Sequence, residues 1–208
     1  MLAVVGDAIE ATGLGVLAGD AWLFSDLDLA LPFGRCLALT GPNGTGKSTL
    51  LACLYGLRQP TEGTVRVCGD VPDEQSSAFR RTVSVLLDDS ALFDELSPRQ
   101  HLDLLLRTFD EHADPEELLD SAGLGHRRDV PAGKLSAGQR RRLLLLGALA
   151  RPHQVVLLDE PERALDPAGL DWLAGHVHRD TGAGATAVLA THSRALVESC
   201  ADLVLDLG

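Results

Sequence analysis

Gly41-Pro42-Asn43-Gly44-Thr45-Gly46-Lys47-Ser48-Thr49 joins glycines, a lysine and hydroxyls in one short run, after the apolar stretch Cys36–Leu39 and before LLACLY. The spacing G-x-x-x-x-G-K-[ST], between a strand and a helix, is that of a loop that cradles a triphosphate. Glycines let the backbone wrap closely, so that successive N–H groups and the helix N-terminus donate to phosphate oxygens. Lys47 is expected against the β- and γ-phosphates, with the Ser48 hydroxyl on Mg²⁺. These residues imply a nucleoside triphosphatase without saying which kind.

Further chemistry is suggested at two strand ends. Val155-Val-Leu-Leu-Asp159-Glu160-Pro161 is an apolar strand closing on two acids. A parallel strand is buried on both faces, so its C-terminal end is where ligand-facing groups belong. Asp159 suits the Mg²⁺ shell, and Glu160 a base for the attacking water; the alternative for the pair alone is a solvated turn. His192 ends another apolar run, TAVLATH, at the same expected edge. A third stretch, KLSAGQRRRL from Lys134 to Leu143, enters a helix through small residues and then Arg140, Arg141 and Arg142. Such an arginine run is ordinarily a solvated helix face.

Around these motifs, strands are expected at Trp22–Leu31, Arg35–Thr40, Thr64–Cys68 and Arg81–Leu87. Helical character takes over between about Leu92 and Gly133. Ser97-Pro98 and Asp114-Pro115 are N-cap and first-turn pairs, and Leu102, Leu105, Leu106 and Phe109 recur at helical spacing. Strand and helix then alternate to the last residues, which argues a parallel sheet with a helical insertion.

At 208 residues, 45% apolar and 23% charged, the chain suits one well-buried domain. The net charge of -12 disfavours a duplex-binding protein. Cys36, Cys53, Cys68 and Cys200 form no C-x-x-C pair and read as buried thiols in a reducing compartment. The N-terminal MLAVVGDAIEATG lacks a signal peptide's basic start. No apolar run reaches the roughly 20 residues a membrane span needs, so a cytoplasmic location is expected.

GPNGTGKST, LSAGQ, VVLLDEP, ALDP and TH, in this order, resemble the ATP-binding-cassette (ABC) ATPases over nearly the whole chain. The resemblance implies an α/β fold: a P-loop NTPase core with a mostly parallel sheet, an N-terminal antiparallel β portion and an inserted helical subdomain. It would be a single domain over 1–208, with core 1–88 and 135–208 and helical subdomain about 89–134. ATP and Mg²⁺ are implied. Ser136, Ala137, Gly138 and Gln139 would face the γ-phosphate of ATP held by a second subunit, their smallness making room for it. Asp166 would lie at the subunit junction, and Glu160 and His192 would be catalytic. Implied partners are a second ABC subunit, identical or paired, and separate transmembrane subunits, holding the chain at the inner membrane face.

Several positions depart from the family pattern. Asp88 falls where the family has Gln and is either a Mg²⁺ ligand or solvated. Ala18 falls where an adenine-stacking aromatic is usual, leaving Trp22 as a substitute or as core. Ala137 replaces a glycine, and Arg163 stands where Ser is common. A soluble ABC protein acting on ribosomes or nucleic acid is the competing reading, opposed by the acidity, the single cassette and the lack of heptads. A subunit of weak hydrolysis stays open because of Asp88. The end at Gly208 is read as leaving no room for a regulatory domain.

Overall fold

The computed structural model describes residues 6–208. The reading of an absent leader rests partly on Met1–Val5, outside the described residues. Two sheets form the core. Strands β1 (Asp7–Ala18), β2 (Ala21–Pro32) and β4 (Glu62–Val67) make an antiparallel sheet in the order β2-β1-β4. Strands β3 (Cys36–Thr40), β5 (Val83–Leu86), β6 (Val155–Asp159), β7 (Thr186–Ala190) and β8 (Leu203–Asp206) make a parallel sheet in the order β5-β6-β7-β3-β8.

Side-chain alternation sorts the parallel sheet's two faces. Val155, Leu157 and Val188 point to the cluster built around helix α1 (Lys47–Tyr55) and the antiparallel sheet. Val156, Leu158 and Leu189 point the other way, to helices α5 (Ala137–Ala150), α6 (Pro167–Gly182) and α7 (Arg194–Cys200). Every residue of β6 is buried, which explains a strand with no polar alternation. Burial of each such Val or Leu is worth about 1.5–3 kcal/mol against exposure.

Between β5 and β6 lie α3 (Pro98–Phe109) and α4 (Pro115–Ser121), entered through the expected caps. Leu102, Leu119 and Leu124 form a third core with Leu143 and Leu146 of α5. The opposite side of α5 gives Leu145 and Ala148 to the sheet. This double burial accounts for the run LLLLGALA, too apolar for an ordinary surface helix.

Three local expectations change. Arg81 and Thr82 are not strand: they end helix α2 (Ser77–Thr82), started by Ser76, whose hydroxyl accepts from Phe79 N at 3.3 Å. An N-cap outweighs the β-propensity of the following valines there. Cys68 is half-buried rather than buried. The arginines of α5 are not a solvated face, as described below. Burial pushes the Cys36 thiol up to about 12 and those of Cys53 and Cys68 to about 11, leaving them protonated.

Candidate nucleotide-binding site

Strand register brings the chemistry to one edge. Leu39 of β3 and Asp159 of β6 are both level with Ala190 of β7, so the three strands end together. The phosphate loop follows β3, Glu160 follows β6 and His192 lies just beyond β7. This is the C-terminal edge of a parallel sheet, where ligands of such folds bind.

A cleft of about 470 Å³ there is lined by Asn43, Gly44, Gly46, Lys47, Ser48, Thr49, Asp159 and Glu160. Lys47 is buried, its ammonium donating to the carbonyls of Gly41 and Pro42 at 2.8 Å each. The Thr45 hydroxyl donates to Pro42 O at 3.0 Å, tightening the same turn. Gly46 precedes α1 at φ 99 and lies under Phe24 of β2, where a Cβ would come within 2.9 Å of the ring. Only glycine meets both demands. The antiparallel sheet thereby presses the loop into shape.

Asp159 is 2% exposed, and burial pushes its carboxyl up from the usual carboxylate range, while the Ser48 hydroxyl bonded to it pulls the other way. A buried carboxylate beside a hydroxyl is a pair of hard oxygen donors, which fits Mg²⁺. Glu160 holds the left-handed φ of 44°, and its N–H donates to Ala190 O at 2.8 Å. His192 Nε2 is 3.8 Å from Glu160 Oε1.

The Ser136 turn opens α5 at a second cleft of about 390 Å³, which it shares with Asp166. Ser136 and Ala137 are exposed. The turn is a capping box: Ser136 Oγ accepts from Gln139 N at 3.3 Å and Gln139 Oε1 from Ser136 N at 3.0 Å. Gly138 is small for an internal reason as well, since a Cβ would lie 2.8 Å from Ala164 O. Asp166 caps α6, accepting from Gly169 N at 2.8 Å; that bond and the Arg142 guanidinium hold its carboxyl below the usual range.

These observations have counterparts among known proteins. The family model described as ABC transporter matches residues 24–163. The chain belongs to the ABC transporter family. It is 34% identical to the cytochrome c biogenesis ATP-binding export protein CcmA of Dechloromonas aromatica, over 96% of this chain and 100% of that protein. The cobalt import ATP-binding protein CbiO of Rhodobacter capsulatus is 37% identical over 89% of this chain and 70% of its own length. The Nod factor export ATP-binding protein I of Sinorhizobium fredii is 35% identical over 89% of this chain and 55% of its own. A solved structure of an ATP-binding subunit of an ABC transporter superposes with a TM-score of 0.84 at 24% identity, covering 97% of this chain and 87% of that one. The fold is the ABC ATPase fold.

Against the family pattern, the departures resolve as follows. Trp22 is 45% exposed and packs on Gly15 of the neighbouring strand, so it is not core, and it is not among the residues lining the cleft. The cleft's far wall is instead Ala18, Leu23 and Arg58, whose guanidinium donates to Leu17 O at 2.8 Å. Asp88 is not among the residues lining the cleft; it is ion-paired with Arg163 and more than half exposed, and its charge still bears on Asp159. The arginines of α5 each grip a different loop. Arg140 reaches Asp94 and Ala132 O, and Arg142 reaches Asp166. Arg141 is buried and donates to Asp159 O at 2.5 Å and Glu160 O at 2.7 Å.

One residue that the motifs left out is Glu162, whose Oε1 accepts from the Thr191 hydroxyl and from the N–H groups of His192 and Ser193. In the sequence it is one more acid in a turn, and only the fold brings it beside the loop after β7.

Proposed function

We propose that this chain is the ATP-hydrolysing subunit of an ABC transporter, working as a dimer beneath separate transmembrane subunits. The observation that carries this reading is the separation of two half-sites on one subunit. Lys47, Ser48, Asp159 and Glu160 share one cleft, whereas Ser136 and Asp166 share another, open and unoccupied by the chain's own phosphate loop. A second copy, turned to bring its Ser136 cleft over the first cleft, completes each site with the N-terminus of α5 aimed at the γ-phosphate.

On binding, Lys47 exchanges its two carbonyl partners for β- and γ-phosphate oxygens. Ser48 and Asp159 would hold Mg²⁺, which would supply positive charge beside the phosphates. The Glu160 carboxylate orients the attacking water and accepts its proton, a role worth about 10²–10⁴-fold. The water oxygen bonds to the γ-phosphorus as the bond to the bridging oxygen breaks, giving ADP and phosphate. The His192 imidazole steadies the γ-phosphate from beside Glu160. Asp88, held by Arg163, stays outside the metal shell.

The relatives' names differ in cargo and direction, export in two and import in one. That agrees with cargo being chosen by membrane subunits rather than by this domain. Among the described residues no helix is long and apolar enough to cross a membrane, so the transport reading requires such partners.

The experiment is Glu160→Gln with Mg-ATP. Hydrolysis should fall by about 10²-fold or more, and light scattering should find an ATP-dependent dimer that the unsubstituted chain forms only transiently. A variant that stays monomeric and hydrolyses at the ordinary rate overturns the reading.

A further inference from the structure

We propose that Glu162 is a positioning residue for hydrolysis, acting through His192. This rests on the reading of Glu160 and His192 as the groups around the γ-phosphate. His192 is exposed, so few side-chain contacts fix where its ring stands. Its position is set by the backbone of residues 191–193, which is tied to β3 by Thr191 N donating to Leu39 O at 3.1 Å and beyond that point gathered on one carboxylate oxygen. Glu162 Oε1 accepts from Thr191 Oγ1 at 2.7 Å, His192 N at 2.7 Å and Ser193 N at 3.1 Å. Bonds to an ionised acceptor are about twice as strong as neutral ones. The Thr191 hydroxyl end of this cluster is buried, so water does not stand in for the carboxylate there.

The other end of Glu162 is equally constrained. It follows Pro161 in the tight turn that begins at Glu160, closed by Arg163 N to Glu160 O and by Leu165 N to Glu162 O, both at 3.0 Å. Glu160 and His192 are therefore referenced to the same short segment, although they lie on loops after different strands. That segment continues into Asp166, on the face with the Ser136 cleft. Glu162 thus ties the histidine loop to the part of the chain nearest the expected subunit junction.

The test is a double-substitution cycle on the full chain, with steady-state hydrolysis of Mg-ATP as readout. Glu162→Ala should lower kcat by about ten- to hundredfold, as misplacement of a reacting group by about 1 Å does, with KM for ATP nearly unchanged. Glu162→Gln keeps an oxygen acceptor and should recover most of that loss. In a His192→Ala background, Glu162→Ala should cost almost nothing more, because coupled residues are not additive. Full additivity of the two losses, or a rise in KM in place of a fall in kcat, overturns the proposal. So does failure of Glu162→Gln to recover activity while its unfolding midpoint matches the unsubstituted chain. If His192→Ala alone hydrolyses normally, the reading of His192 falls, and the role of Glu162 falls with it.

Discussion

Asp159 shows at a single residue how binding chemistry and stability oppose each other. The folded chain keeps this carboxyl's proton to higher pH than the unfolded chain does, because burial raises its value above 3.8. Its cost to folding is absent below the unfolded value and grows as pH climbs through the folded one. Asp159→Asn should therefore raise the unfolding midpoint of the nucleotide-free chain near neutral pH, by about 2–4 °C for each kcal/mol recovered. The difference should shrink on acidification to pH 4, and the variant should lose Mg²⁺-dependent hydrolysis. A midpoint that falls near neutral pH and recovers at pH 4 would show that Asp159 is stabilising when ionised. The charged residues of the phosphate loop, β6 and Asp166 were legible in the sequence because each motif sets its own backbone. Trp22 and Asp88 were not legible because their surroundings come from remote segments, Gly15 and Arg163 respectively.

At the scale of elements, α5 organises the site. Its arginines end on different loops, and only Arg141 among them is buried. Removing it strips hydrogen bonds from Asp159 O and Glu160 O, the carbonyls at the end of β6. Arg141→Met should cost about 2–4 kcal/mol in a denaturant titration, the penalty of stranding buried carbonyls. Arg142→Met should cost about 0–1 kcal/mol, since its partner Asp166 is exposed. Equal losses would mean that burial does not separate the two. The sequence offered no such distinction: three adjacent arginines look alike until the helix is seated between two cores. The double burial was visible only as an excess of leucine. By contrast, the caps of α3 and α4 were legible because Ser-Pro and Asp-Pro act locally.

For the whole molecule, the net charge of -12 bears on the proposed dimer. Pairing two identical subunits brings like charges together, and salt screens that repulsion over a length of about 10 Å at 0.1 M. The ATP-bound dimer of Glu160→Gln should thus dissociate less as salt is raised from about 0.05 to 0.3 M; weaker association at higher salt would indicate that attraction between opposite charges governs the seam. The parallel sheet could be anticipated from alternating motifs, but its order could not, because only packing decides that β3 sits between β7 and β8. The Ser136 tip and the Arg141 grip lie on one helix, separated by about 7.5 Å of axial rise. A rigid ruler of this kind fixes the spacing of the two contact edges on every copy. In the dimer proposed above, two such copies facing each other about a twofold axis would shut both seams in one stroke or neither.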